Sequence, residues 1–355
     1  MRGAEATPGR DGEAAVVAAA TAGDRAAFAA LAERYRQELQ VHCYRMLGSF
    51  EDAEDLVQET LLRAWRRRES FQGRSTFRAW LYRIATNACL DLLDRRPRQR
   101  LARPAARPAD AGAAPPPPLA VPWLQPYPDR LLEGLASGEA VPDAAVVARE
   151  TIELAFLAAI QHLPPRQRAV LILRDVLGWS AKETAALLEA SVASVKSALQ
   201  RARPALKRHL PPRRSEWAPA WGPTRQERAL LQRYMDAIER ADDAALAELL
   251  RRDARVGHQP GAGGHLGPEP AWYEGRETII AAWAPVLHGP DAPQLRLVPT
   301  GANTQPAAAT YLRWPGDPEY RAFGLTVLRV EDGLVAEVTN FVPDLFRAFG
   351  LPPTL

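Results

Sequence analysis

Prolines decide first what this chain can fold into. Eleven of its 32 prolines fall between Pro97 and Pro142, four of them consecutive from Pro115 to Pro118. Each proline removes a backbone N–H, so this stretch cannot form a helix bundle and is predicted to be extended, partly polyproline II. A second linker, rich in Pro and Trp, spans 211–223. With 355 residues, the chain also exceeds one typical domain, and two or three are expected. Inside the first linker, VPWLQPYPDRLLE (121–133) is too aromatic for a plain spacer. It reads equally as a docking segment or as a patch folded back on a neighbouring domain.

Composition narrows the class. Apolar and charged fractions of 47% and 25% are those of an ordinary soluble globular protein. Cys43 and Cys89 are the only cysteines, too few and too far apart in sequence to suggest a disulfide framework or a zinc site. No metal and no cofactor are expected. The N-terminal segment carries Glu5, Asp11 and Glu13 and lacks a long apolar core, which argues against a signal peptide, and no run approaches a membrane span. A reducing, cytoplasmic location is expected. Net charge is only +3, so its distribution says more than its total.

Between the linkers, Leu163–Arg203 carries the strongest local signal. Ser180-Ala-Lys-Glu183 is a capping box opening a helix at about 181–188 that is expected to bury Ala185 and Leu188. Ser191 is the next N-cap, and Val195 and Leu199 form one face of the helix it starts. Two short helices joined by a tight turn make a helix-turn-helix, whose second helix enters the DNA major groove. The opposite face shows Ser194, Ser197, Gln200 and Arg201, and residues 190–215 hold seven Lys or Arg and no acid. Such one-sign charge suits phosphate contacts. Glu189 sits in the turn, where glycine is the easier residue. Upstream, 143–162 restarts a helix whose Ile152, Phe156, Leu157 and Ile160 face a core.

The first piece is helical as well. Residues 13–47 read as one or two helices. In the next, Ala53, Leu56, Val57, Leu61 and Trp65 share one side and Asp52, Asp55, Gln58 and Glu59 the other. Charge then reverses: residues 51–59 hold five acids and no base, whereas 63–83 hold seven arginines against Glu69 alone. A loop at 70–75 leads into a helix from about Thr76 to Arg95. Aromatics set among arginines suit unstacked bases, with rings on bases and guanidinium groups on phosphates. Phe77 and Trp80 read as core, which leaves Phe71 and Asn87 as candidates for base contacts.

The last third changes character. Residues 227–250 read as two amphipathic helices, and 272–287 gives a third after a turn at Gly275. LRLVPT, QPAAATYLRW, YRAFGLTVLRV and LVAEVTNFV read as strands, with Asp332-Gly333 as a hairpin turn. Helices followed by an antiparallel sheet define an α+β domain that could enclose a pocket. His258, His265 and His288 lie near loops, but no paired acid and base stands out, so no catalytic residue is assigned.

DAEDLVQETLLRAW, FQGRSTFRAWLYRIATNACLD and LPPRQRAVLILRDVLGWSAKETAALL, in this order around a loose linker, resemble a bacterial RNA polymerase sigma factor of the compact extracytoplasmic-function (ECF) group. The resemblance covers about 15–95 and 145–210. It implies that Asp52, Asp55, Gln58 and Glu59 grip the clamp of the polymerase β′ subunit. It also implies that Phe71, Arg74, Ser75, Arg78 and Asn87 bind and help melt the −10 element. Ser194, Lys196, Ser197, Gln200, Arg201 and Arg203 would bind the −35 element. The linker matches the piece threaded through the polymerase cleft, and a contact to the β flap of core polymerase is also implied. KSALQRAR puts Ala198 where the family usually has arginine, leaving the −35 sequence open. The last third resembles the SnoaL-like members of the nuclear-transport-factor cone fold, through 227–250 and Trp272–Glu277.

A multi-domain chain is therefore expected, with two all-α domains and a C-terminal α+β cone-like domain. The boundaries are 13–96 for sigma region two, 97–142 for the Pro-rich linker, 143–210 for region four, 211–223 for the second linker and 224–350 for the SnoaL-like domain. The expected function is promoter-directing initiation without catalysis, modulated in cis by the last domain. The expected partners are core polymerase and promoter DNA, without a membrane; a small-molecule ligand of the C-terminal domain stays open. The alternative is a stand-alone helix-turn-helix regulator with a small-molecule-sensing domain, which would have no use for residues 51–95.

Overall fold

The computed structural model describes residues 10–95, 121–132, 152–210, 222–263, 265 and 271–355. The prolines between 97 and 118, the start of the 143–162 helix and most of the second linker lie outside these. The described chain forms two compact units, one from residues 10–95 and 163–205, the other from 121–132, 152–162 and the chain beyond 206.

In the first unit, helices α1 (Arg10–Thr21), α2 (Arg25–Leu47), α3 (Phe50–Arg66) and α4 (Phe77–Arg95) pack together. Their ends follow from the sequence. Asp24 Oδ1 accepts from the Ala26 and Ala27 amides at 2.8 and 3.1 Å to start α2, and Gly48 at φ +74° stops it. Ser49 Oγ accepts from Asp52 N at 3.2 Å to start α3. The core joins Leu31, Tyr35 and Leu39 to Val57, Leu61, Trp80, Leu81 and Ala85, all buried. Each buried Leu or Val among them contributes about 1.5–3 kcal/mol by leaving water. Cys43 and Cys89 are buried free thiols that the fold sets side by side on α2 and α4, where burial raises the Cys89 pKa well above the usual thiol range.

The same unit holds α6 (Pro165–Leu171), followed by a wider turn (Ile172–Val176) in which Leu177 N bonds Ile172 O at 2.9 Å, α7 (Ala181–Leu187) and α8 (Val192–His209) as far as Ala205. α6 and α7 lie against α4. Arg168 of α6 is 4% exposed; it donates through Nη1 to Met46 O at the C-terminal end of α2 and through Nη2 to Leu163 O at 3.2 Å. Burial pushes its pKa down to about 9. Trp179 stacks at a tilt on Tyr82, with centroids 5.3 Å apart.

The second unit is an α+β fold. Helices α9 (Arg225–Glu239), α10 (Asp243–Leu249) and α11 (Arg276–His288) cover one face of a six-stranded sheet. Its strands are β1 (Leu250–His258), β2 (Ala271–Glu274), β3 (Gln294–Ala302), β4 (Gln305–Arg313), β5 (Arg321–Glu331) and β6 (Leu334–Phe341), in the order β2-β1-β6-β5-β4-β3. Two strands escaped the sequence reading. Arg251, Arg252 and Asp253 hide the alternation of β1, and β2 is only four residues long. The sheet is also not purely antiparallel, because β1 pairs with β6 in parallel. The two hairpin turns have left-handed residues throughout: Asp332 and Gly333 at φ +51° and +77°, as expected, and Asn303 and Thr304 at +58° and +61°, not anticipated. A β-branched residue there is strained by about 1–3 kcal/mol.

Helix α5 (Leu154–Gln161), read from the sequence as the head of the 143–210 helical domain, belongs to this second unit and is buried along its whole length. Its amide Leu154 N donates to Gln305 Oε1 at 3.2 Å. The 121–132 segment is folded back in the same way, with Val121, Leu124, Tyr127 and Leu132 buried.

Candidate nucleic-acid interface

The acidic residues of α3 do not form one uniform face. Asp55 and Gln58 are exposed, and Leu62 completes their stripe at 50% exposure. A leucine on the polar side was the signal that the helical wheel held and the sequence reading passed over. Asp52 and Glu59 are half-buried. Glu59 accepts from Arg63 Nε at 2.7 Å, and Arg63 reaches on to Asp91 of α4 at 3.4 Å.

Phe71 is half-buried, wedged against Phe77 and Trp80 with centroids 5.5 Å from each. Arg74 and Ser75 are exposed beside Gly73 at φ +66°, and Asn87 is exposed on α4. Arg78 differs from its neighbours: its Nε donates to both carboxylate oxygens of Glu38 at 3.0 and 3.1 Å, and its guanidinium lies 5.0 Å from the Tyr82 ring centroid. Glu38 is 7% exposed, and burial raises its pKa against the opposing pull of Arg78.

The capping box forms: Glu183 N donates to Ser180 Oγ at 3.2 Å and Ser180 N to Glu183 Oε2 at 2.7 Å. α7 buries Thr184, Ala185 and Leu187. Leu188, expected buried, is half-buried at the C-cap, because Leu187 takes the inner position. Glu189 occupies the turn at φ +51°. Ser191 Oγ accepts from Ser194 N at 3.1 Å, and Val195, Leu199 and Ala202 hold α8 to the unit. This leaves Ser194, Lys196, Gln200 and Arg201 exposed, with Arg201 donating to the half-buried Ser197 at 2.7 Å. Arg203 is exposed but forked onto Asp175 at 2.8 and 2.9 Å. Asn87 and Ser194, expected at different promoter elements, line one cleft of about 80 Å³ with Arg166, Leu188 and Ala198.

In the second unit the covered face of the sheet is filled by Leu231, Tyr234, Met235, Ile238, Val256, Leu328 and Val338. His258 ends β1 at 7% exposure, its Nδ1 accepting from Asn340 Nδ2 at 3.4 Å. Burial, then His265, pushes its pKa down to about 4. His288 stands apart on α11, 3.0 Å from Asp243. Among the described residues no three metal-binding groups converge, and no helix is long and apolar enough to cross a membrane.

A four-helix domain with an acidic outer helix, joined to a helix-turn-helix with a basic recognition helix, defines the class: two Sigma-70 modules. Family models match Sigma-70 region 2 over residues 31–99, Sigma-70 region 4 over 153–206 and a SnoaL-like domain over 231–338; the region-four match includes α5, which by sequence goes with the helix-turn-helix although its contacts are with the second unit. The chain is 42% identical to the ECF RNA polymerase sigma factor SigG of Mycobacterium tuberculosis over 333 residues, covering 93% of this chain and 85% of that protein. It is 32% identical over 189 residues to SigW of Bacillus subtilis, 53% of this chain and 91% of that one. The crystal structure of M. tuberculosis extracytoplasmic function sigma factor SigJ shares its fold, with a TM-score of 0.53 at 23% identity over 92% of this chain and 99% of that one. The chain belongs to the ECF RNA polymerase sigma factors, which direct RNA polymerase to promoters.

Proposed function

We propose that α3 docks on core polymerase through Asp55, Gln58 and Leu62, with Asp52 and Glu59 at its margin. Phe71, Arg74, Ser75 and Asn87 then engage the −10 strand, and Ser194, Lys196, Ser197, Gln200 and Arg201 meet the −35 duplex. Arg78 and Arg203 act first inside the fold, setting Tyr82 and Asp175. The chain works in the cytoplasm, where its polymerase is, as a non-catalytic initiation factor. The covered face of its C-terminal sheet is lined with buried apolar side chains, and the cleft of about 580 Å³ beside it opens at Arg228, Leu231, Gln232 and Thr300; the apolar lining supports modulation in cis over chemistry. The two promoter elements lie about 25 base pairs apart, ~85 Å at 3.4 Å per step. Asn87 and Ser194 share one cleft, so engaging both elements requires α7 and α8 to leave α4.

The observation that carries this reading is the exposed Asp55–Gln58–Leu62 stripe on a helix whose other side is core. An isolated DNA-binding regulator has no use for it. The double variant Asp55→Ala, Leu62→Ala keeps helix propensity and should bind core polymerase about 2–5 kcal/mol more weakly, thirtyfold or more in Kd. Titration of labelled protein with core polymerase measures this, and unchanged affinity removes α3 from the interface.

A further inference from the structure

A cleft of about 580 Å³ lies in the second unit between the first turns of α9, the adjoining ends of β3 and β4 and residues 128–132. That volume suits a small organic ligand. Its walls are apolar and stiff. Leu132, Leu231 and Phe349 are buried side chains, and Pro128, Pro299 and Pro306 fix the backbone beside them. Arg228, Leu231 and Gln232 stand three and four residues apart on α9, so a cation, an apolar side chain and an amide share the stripe that lines the cleft.

Charge at the cleft is one-sided. Arg130 and Arg228 both line it and are both exposed. Backbone carbonyls anchor them: Arg130 Nε donates to Ala348 O at 2.6 Å, and Arg228 Nη1 donates to Pro223 O. Among the described residues neither guanidinium is ion-paired. The cleft's carboxylate, Asp129, is turned to the opposite wall. Its Oδ1 accepts from Thr304 N at 2.7 Å, and its Oδ2 lies where a Cβ on Gly301 would come within 2.5 Å. Two guanidinium groups against one carboxylate leave a single net positive charge at a mostly apolar site.

We propose that this cleft binds a small organic monoanion, an aryl or medium-chain carboxylate. Arg228 holds the carboxylate, whose geometry a guanidinium matches, and Leu231 and Phe349 cover the apolar body. The site is filled without polymerase or DNA, so its test is independent of how α3 and α8 are used.

Calorimetric titration of the full-length protein with cinnamate, cinnamamide and cinnamylamine tests this, because the three share one skeleton and are anionic, neutral and cationic. Cinnamate should bind with a Kd of roughly 0.1–1 mM, as its size allows. The amide should bind about tenfold more weakly, and the amine more weakly still. Arg228→Gln should abolish the preference for cinnamate over the amide, and Arg228→Lys should retain part of it. Gln232→Trp, at an exposed position, should fill the cleft and weaken both ligands about tenfold or more. Equal affinity of the wild-type protein for cinnamate and cinnamamide overturns the charge assignment. Cinnamate binding that survives Gln232→Trp unchanged puts the ligand elsewhere and overturns the site. Absence of saturable binding up to about 10 mM overturns both.

Discussion

Arg74 and Arg78 stand four residues apart in a basic stretch, and by sequence they are equivalent. In the fold they are not: Arg74 is exposed, whereas Arg78 forks onto a Glu38 carboxylate that keeps 7% of its surface. Replacing Arg74 by Ala should weaken promoter binding across sequences and lower the salt dependence by about one unit of slope, with the melting temperature unchanged. Replacing Arg78 by Ala leaves Glu38 buried without that partner. It should cost about 3 kcal/mol, the low end for a buried pair, because Arg78 retains a quarter of its surface in water. Denaturant unfolding of the two variants separates them, and equal stabilities would mean that the Glu38 pair contributes nothing.

At the scale of elements, the helix-turn-helix is the best-specified part of the chain and contains one local misfit. Ser180, Glu183 and Ser191 make the cap bonds their spacing announces, so both helices start where the sequence starts them. Between them, Glu189 adopts φ +51°, a conformation that costs an L-residue roughly 1 kcal/mol and glycine almost nothing. Glu189→Gly should therefore raise stability by up to about 1 kcal/mol without changing −35 preference, since its side chain is exposed and off the recognition face. Thermal unfolding with a −35 binding panel checks both halves. A lower melting temperature would mean that the Glu189 side chain makes a contact outweighing its backbone strain.

For the whole molecule, the domain boundaries suggested by composition are not cleavage points. A cut at Thr224 follows a proline-rich linker and looks clean in sequence, yet it would take away Asn303 and Gln305, which bond Ile152 O and Leu154 N. It would also uncover Leu124, Tyr127 and α5, all buried in the second unit. A chain ending at 223 should therefore bind a hydrophobic dye strongly and self-associate at micromolar concentration, whereas the full-length chain should do neither. Light scattering and dye fluorescence decide it. A monodisperse, dye-silent truncation would show that α5 finds other cover once the sheet is gone.

What the sequence determined by itself was local and periodic. Cap residues, the acidic and apolar sides of α3, the Asp332–Gly333 turn and the change from helices to strands all depend on neighbours within a few positions, and they are legible without a fold. The resemblance to sigma factors rested on the same kind of signal, three motifs in order. Tertiary structure decided which polar groups remain available. Arg78 and Arg203 lie in the expected stretches, but partners 40 and 28 residues away hold them, and spacing along one helix carries no trace of either. β1 went unread because three charged residues interrupt its alternation, and only pairing with β2 and β6 makes it a strand. The fate of 121–132 was beyond sequence reasoning for the same reason: its hydrogen-bond partner Asn303 is 176 residues from Tyr127. Hydrogen bonding and burial between such distant residues exist only once the chain has closed on itself.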